Sequence, residues 1–318
     1  MATALAIAER GVGVTGLNPS VGCIIVQQGR VIGRGWTQNG GRPHAEAIAI
    51  AAAKAAQAEI NGATVYVTLE PCAHVSDRGS SCADALISAN PSRVVIAIED
   101  PDPRTSGQGI AKLCAAGIDV EIGVLADAAR GQLAGFLCRM KHGRPLVTLK
   151  LATSLDGCIA MADGSSRWIT SAAARAHSHV VRARSDAILV GGGTLRADMP
   201  ALDVRLPGLE DRKPRRIVLT RGIPPNGWEA ICEPAAIAGL NCNTLLIEGG
   251  AQTATAFLRA NLVDRLLLYR APIILGGGLP CLADYGLTQL DVAHGKWRLA
   301  DTRTFGQDRM EIYDKQGQ

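Results

Sequence analysis

Aromatic residues make up only 3% of this 318-residue chain. That is too few to build stacking platforms along a groove, and it disfavours a nucleic-acid surface. A block of like charge is missing too: 33 Lys and Arg stand against 29 Asp and Glu, for a formal net charge of +4. The densest basic stretch, Arg212-Lys213-Pro214-Arg215-Arg216, is short. Lys, Arg, Asp or Gly interrupts every apolar run before it is long enough to cross a bilayer, so no membrane association is expected. The first residues lack a basic segment ahead of an apolar one, which predicts no secretory signal and a cytoplasmic location. Nine cysteines are an odd count and argue against a disulfide framework. Cys23, Cys114, Cys138 and Cys232 read as small apolar side chains.

What is present is a globular composition, 47% hydrophobic and 19% charged, in a chain long enough for two domains. The first part alternates strand and helix patterns. Strands are predicted over 21–27, 30–36, 63–69, 93–99 and 118–122, and helices over 44–58, 82–89, 109–116 and 125–140. Such alternation indicates helices packed on a mixed sheet. The polar break Lys141-His142-Gly143-Arg144-Pro145 marks a boundary, giving domains 1–143 and 144–318. In the second domain, strands are predicted over 146–152, 186–190, 216–219, 244–247 and 265–271. Helices are predicted over 170–183, with Thr170 as N-cap, and over 252–260.

His44-Ala45-Glu46, then Pro71-Cys72 and Cys82, is the constellation that carries chemistry. One imidazole and two thiolates hold Zn²⁺ and leave a fourth position open, and such an ion lowers the pKa of a bound water to about 7. Glu46, two residues beyond the His, is the expected proton carrier. Zinc deaminases have this His-x-Glu and Pro-Cys pattern, usually with two residues between the cysteines. Here Ala73 to Ser81 separate them. Cys82 opens a helix, where a thiolate is favoured. A closed structural zinc site is the competing reading, with His74 as its fourth ligand.

These residues resemble a known family. Asn18-Pro19-Ser20-Val21-Gly22, His44-Ala45-Glu46 and Thr68-Leu69-Glu70-Pro71-Cys72-Ala73-His74 are similar to the bifunctional riboflavin-biosynthesis deaminase–reductases. So are Lys150-Leu151-Ala152-Thr153-Ser154-Leu155-Asp156-Gly157, Trp168-Ile169-Thr170 and Glu248-Gly249-Gly250. The resemblance implies an α/β chain with a cytidine-deaminase-like α/β/α domain followed by a dihydrofolate-reductase-like α/β domain. It implies zinc-dependent hydrolysis of the 2-amino group of a diaminopyrimidine carrying a ribosylamino 5′-phosphate, then NADPH-dependent reduction of the ribosyl group to ribityl. It also implies a homodimer through the reductase domain. The long loop between the two cysteines is a trait of that family, where it lines the substrate pocket; here 75–81 is about one residue longer.

Residue by residue, the resemblance places Asn18 and His74 at the pyrimidine substrate. Ala152, Trp168, Thr194, Asp198 and the run Gly250, Ala251, Gln252, Thr253, Ala254, Thr255 and Ala256 fall at NADPH. Ser166, Arg182, Leu202, Arg205 and Glu248 fall at the reductase substrate. The arginines suit a phosphate through forked, charge-assisted hydrogen bonds, although a solvated surface cation is the plainer reading of each. Lys150, expected beside Asp156, is a further substrate contact. Gly249-Gly250 and Gly191-Gly192-Gly193 follow strands as turns, the first opening a helix suited to phosphate, and neither has the Gly-x-Gly-x-x-Gly spacing of a Rossmann unit. Cys158, Met199 and Thr220 depart from the family pattern, the 221–243 segment is short, and Arg221 is expected to face a 2′-phosphate. Two alternatives stand beside the leading one: a deaminase whose reductase domain has decayed, and a nucleic-acid or nucleoside deaminase.

Overall fold

Small residues at regular spacing dictate how closely a helix can approach its sheet. In a computed structural model describing residues 1–74 and 79–317, the chain divides into two units, Met1–Gly143 and Arg144–Gln318. The first contains α1 (Ala2–Ala8), β1 (Gly22–Gln27), β2 (Arg30–Trp36), α2 (Ala45–Ala55), β3 (Thr64–Val67), α3 (Cys82–Ala89), β4 (Arg93–Ile96), α4 (Gln108–Ala115), β5 (Asp119–Ile122), α5 (Ala126–Gln132) and α6 (Ala134–His142). The sheet order is β2-β1-β3-β4-β5. Strand β1 is antiparallel to both neighbours, whereas β3, β4 and β5 run parallel. Ala45, Ala49 and Ala53 follow the i, i+4 spacing of one helix face and are fully buried. Opposite them, a Cβ on Gly35 would lie 2.1 Å from the Ala45 carbonyl oxygen, and one on Gly33 2.3 Å from that of Ala49. The two glycines therefore let α2 seat directly on β2, which fixes the start of α2 against the sheet.

Two helix expectations need correction in this unit. The helix predicted over 125–140 is two helices, because Leu133 leaves helical geometry at φ −92 and ψ 8 and buries its side chain in the core. The helix predicted over 44–58 ends at Ala55, and Gln57 turns the chain with a φ of 54.

The second unit contains β6 (Leu146–Thr153), β7 (Cys158–Ala160), α7 (Ala172–Ala183), β8 (Ala187–Gly191), α8 (Gly192–Asp198), β9 (Arg215–Leu219), β10 (Glu229–Ile231), β11 (Thr244–Ile247), α9 (Ala251–Arg259), β12 (Arg265–Arg270), β13 (Leu279–Pro280), β14 (Trp297–Phe305) and β15 (Asp308–Lys315). Its main sheet runs β10-β9-β8-β11-β6-β12-β15-β14. The first six strands are parallel, and β15 and β14 close the sheet as an antiparallel hairpin. Strand β8 is buried along its whole length, as expected for a parallel strand covered on both faces.

Here too the sequence reading is adjusted. Helix α7 is capped by Ser171, whose Oγ accepts from the Ala174 N–H at 3.3 Å, and not by Thr170. The Gly191–Gly193 run, expected as a turn, opens the short helix α8. The β14–β15 hairpin was not anticipated, because β14 is mostly exposed on both faces and has no apolar alternation to announce it. Among the described residues no helix is long and apolar enough to cross a membrane.

Candidate active sites

Three ligand atoms from three elements meet in the first unit. His44 is the residue before α2 and holds extended geometry, φ −71 and ψ 162, so its ring leaves the helix start freely. Cys72 lies on the turn after β3, and Cys82 is the first residue of α3, capped by the Ser81 hydroxyl on the Asp84 N–H. The ligand atoms of His44, Cys72 and Cys82 lie within 4.8 Å of one another. His44 Nδ1 is 3.2 Å from Cys82 Sγ and 3.6 Å from Cys72 Sγ. A tetrahedral zinc ion at ordinary bond lengths sets that nitrogen–sulfur spacing at roughly 3.6 Å. The donor set and its spacing therefore fit Zn²⁺. His74 is outside the cluster, its Nδ1 3.4 Å from the Thr105 hydroxyl, so among the described residues the group has three donors and an open position.

The electrostatics suit a cation. Hydrogen bonding with Cys82, together with the His44 ring and the Cys82 backbone N–H at 3.3 Å, holds the Cys72 thiol down at about 4 despite its burial. Glu46, in the first turn of α2, is only 3% exposed, and burial raises its pKa against the opposing pull of His44.

A cavity of about 450 Å³ opens over this cluster, lined by Asn18, His44, Glu46, Cys72 and His74 among others. The Asn18 amide packs where only a glycine leaves room: Gly41 sits at φ +88, and a Cβ there would be 2.0 Å from Asn18 Nδ2. Sequence reasoning missed Glu70. Its buried carboxylate accepts from the backbone N–H groups of Asp100, Gly107, Gly109 and Ile110, tying the Cys72 turn to α4. An acidic residue immediately before Pro71 at the end of an apolar strand was the available signal. Asp100 was missed as well; burial first, then the charges of Asp102 and Glu70, push it up to about 6. The 75–78 stretch of the loop expected to line the pocket lies outside the described residues.

Two hollows in the second unit gather residues named from the sequence. One, of about 480 Å³, brings together Lys150, Trp168, Arg182, Arg205, Glu248 and Tyr269. Arg182 and Glu248 form a forked pair, Nε to Oε1 at 2.7 Å and Nη2 to Oε2 at 2.8 Å, with side chains only 14% and 8% exposed. Arg182 Nη1 donates to the Asp203 carbonyl, so all three guanidinium nitrogens make a hydrogen bond and the group is not a solvated surface cation. Burial would raise the Glu248 pKa, but Arg182, Lys150 and His179 outweigh it and hold the carboxylate ionised. Lys150 stands over the Tyr269 ring at 5.8 Å and beside Glu248. Asp156, its expected neighbour, is instead taken up by Ser154 and the Leu275 and Gly276 N–H groups. Tyr269 was not foreseen; its hydroxyl is 2.7 Å from His177 Nδ1.

The other hollow, about 610 Å³, is lined by Gly191, Gly192, Gly193, Thr194, Arg196, Thr220 and the stretch Gly250, Ala251, Gln252 and Thr253. A Cβ on Gly191 would lie 2.1 Å from Thr253 Oγ1, so the first turn of α9 packs where only glycine fits. Several expected contacts lie elsewhere. Ala254 is in the hydrophobic core, and Thr255 is buried with its Oγ1 accepting from the Ala283 N–H. Ala152, Ser166 and Ala256 line neither hollow, and Ala152 packs beside Tyr269 and Met310. Leu202 buries its side chain against Ile188, Val190 and Leu246. Asp198 faces Arg167 at 3.8 Å, and Trp168 lines the Lys150 hollow rather than the glycine-lined one.

Residues 1–98 match the cytidine and deoxycytidylate deaminase zinc-binding region, and residues 145–226 and 235–310 match the RibD C-terminal domain. The chain is 39% identical to riboflavin biosynthesis protein RibD of Escherichia coli (strain K12) over 325 residues, covering 87% of this chain and 88% of that one. It is 42% identical to the RibD protein of Mycobacterium tuberculosis (strain ATCC 25618 / H37Rv) over 313 residues, covering 93% and 91%. Among solved structures, the deaminase/reductase of Thermotoga maritima superposes with a TM-score of 0.91 at 30% identity, covering 99% of this chain and 97% of that one. Acinetobacter baumannii RibD (form 2) gives 0.88 at 35% identity, with coverage of 99% and 97%. Both halves are matched in order, which disfavours a stand-alone nucleic-acid deaminase or a chain with a decayed second domain. The chain belongs to the RibD family of riboflavin biosynthesis, joining a zinc-binding deaminase domain to a reductase domain of the NADPH-dependent type.

Proposed function

We propose that the first unit hydrolyses the ring 2-amino group of a diaminopyrimidine bearing a ribosylamino 5′-phosphate, and that the second reduces the ribosyl group of the product to a ribityl chain. The Thermotoga relative is named a diaminohydroxyphosphoribosylaminopyrimidine deaminase and 5-amino-6-(5-phosphoribosylamino)uracil reductase, which supports these substrates. This reading rests chiefly on the juxtaposition of the His44, Cys72 and Cys82 donors with the buried Glu46 carboxyl in one cavity.

In the first unit, His44, Cys72 and Cys82 would hold Zn²⁺, which would supply Lewis acidity for the attack of water. Glu46 would take one proton from the attacking water and pass it to the ring nitrogen, then carry the second, from the newly added hydroxyl, to the amine that leaves as ammonia; its raised pKa suits both directions of transfer. Asn18 presents an amide donor and acceptor to the pyrimidine edge, and His74, which lines the same cavity, is a second substrate contact.

In the second unit, NADPH supplies the hydride, and the protein's contribution is placement. We assign Thr194 and Gly250 to Thr253 to the cofactor, since they line the glycine-rich hollow. Lys150 and Glu248 are assigned to the ribosyl group. Arg182 holds Glu248 in place through the forked pair, leaving the more exposed Arg205 for the phosphate. The homodimer through this unit belongs to the same proposal. It is supported by β14, a nine-residue strand at the sheet edge with no partner on its outer side among the described residues. A cytoplasmic location is also part of this reading.

The test is a two-step assay on purified chain with metal analysis: ammonia release from the diaminopyrimidine, then loss of nicotinamide absorbance with the deaminated intermediate. Zinc with both activities is the expected result. Ammonia release without NADPH consumption would reject the reductase half.

A further inference from the structure

The glycine-lined hollow bears on which dinucleotide the second unit accepts. It lies at the carboxyl ends of β8 and β9 and at the turn after β11, the edge at which parallel α/β sheets bind ligands. Among the described residues, Arg196 is the one ionisable side chain in its lining, and no carboxylate is there. A site for an unphosphorylated adenosine ribose places an Asp or Glu on the 2′-hydroxyl, whereas an arginine accommodates a 2′-phosphate.

The position of Arg196 is specific. It leaves the last turn of α8, and its Nη1 would be 3.2 Å from a Cβ on Gly192, so the guanidinium folds back over the glycine run. The Thr220 hydroxyl is 3.3 Å from the same point. Guanidinium and hydroxyl thus flank one patch at the end of β9. Asp198, the carboxylate of the same helix, is outside the lining and faces Arg167. Arg221, expected here from the sequence, is likewise not among the lining residues.

Topology orients the cofactor. Strand order β9-β8-β11-β6 puts three strand spacings, about 14 Å, between Thr220 and the Lys150 strand. Glu248 borders the Lys150 hollow and Gly250 the glycine-lined one, so the two meet at the turn after β11. A nicotinamide ring turned toward the substrate at that turn leaves the adenosine end near Thr220 and Arg196.

We propose that Arg196, with the Thr220 hydroxyl beside it, selects NADPH over NADH by meeting the phosphate on the adenosine ribose. The proposal rests on the reading above that this hollow holds the dinucleotide.

Calorimetric titration of the full chain with NADP⁺ and with NAD⁺ tests it without recourse to turnover. Arg196→Ala should weaken NADP⁺ about tenfold or more and leave NAD⁺ within about twofold. Arg196→Lys should recover part of the loss. Thr220→Asp, an independent change, should weaken NADP⁺ and spare NAD⁺. Unchanged NADP⁺ affinity in Arg196→Ala, or an equal loss for both dinucleotides, would overturn the proposal. Wild-type chain that binds neither would overturn the underlying cofactor reading, a result distinct from both.

Discussion

In the first unit the reacting groups come from short, nearly consecutive motifs. His44 and Glu46 share one helix start, Cys72 and Cys82 bracket one loop, and three ligand atoms converge within 4.8 Å. In the second, Lys150 comes from β6, Arg182 from α7, Glu248 from the end of β11 and Tyr269 from β12, and only the sheet brings them to one hollow. A tetrahedral ion permits little variation in donor type or spacing. A binding hollow can be assembled from scattered side chains whose own pairings decide which remain available. The difference is visible in Arg182, a phosphate candidate that the fold commits to Glu248.

The contrast can be broken first at its strongest point. Cys72→Ser should lose zinc and reduce ammonia release to background while NADPH-dependent reduction of the deaminated intermediate persists; metal content and the two assays check this. The second unit should fail through its buried pair instead. Arg182→Met strands the Glu248 carboxylate and should cost about 3–5 kcal/mol in urea unfolding of that unit, with the Arg182→Met, Glu248→Leu double variant losing less.

A smaller effect is expected where the two ends of the metal loop are held. A Cβ on Gly109 would sit 2.1 Å from the Pro71 carbonyl oxygen. Gly109→Ala should therefore cost about 1–3 kcal/mol and weaken zinc retention by moving the Cys72 turn, measurable by unfolding and chelator competition.

The smallest effect is a pH slope. Asp100 rises from an ordinary 3.8 to about 6 in the folded chain, chiefly through burial, so the native state holds its proton more tightly than the unfolded chain does. The stabilisation from that proton is complete below about 3.8 and is lost as pH rises through about 6. Asp100→Asn should flatten this part of the pH dependence of the urea midpoint, and an unchanged slope would remove Asp100 from the account.

The same contrast explains what could be read from the sequence. His-x-Glu and Pro-Cys were legible because metal chemistry restricts residue type over a few adjacent positions. The α/β alternation was legible because β8 and its neighbours are continuous apolar runs. Hairpin β14–β15 was not, since a strand exposed on both faces carries no periodic signal. The break at Leu133 was also hidden, because an apolar residue fits a helix pattern whether or not its backbone stays helical. Ala254 and Thr255 followed from resemblance along a run, but on a helix only one face of that run can line the cleft, and these two lie off it. Glu70 shows the converse: its importance lies in four backbone N–H groups contributed by residues distant in the chain.

The central claim is that one chain holds two separately built active sites, the first turning on a single carboxyl group. Glu46→Ala tests it most directly, with ammonia release, bound zinc and NADPH consumption on the deaminated intermediate followed on the same preparation. A fall in ammonia release of about 10²–10⁴-fold, with zinc and reductase activity retained, is predicted. Ammonia release at the wild-type rate with zinc bound, or loss of reduction alongside deamination in a folded chain, would contradict it.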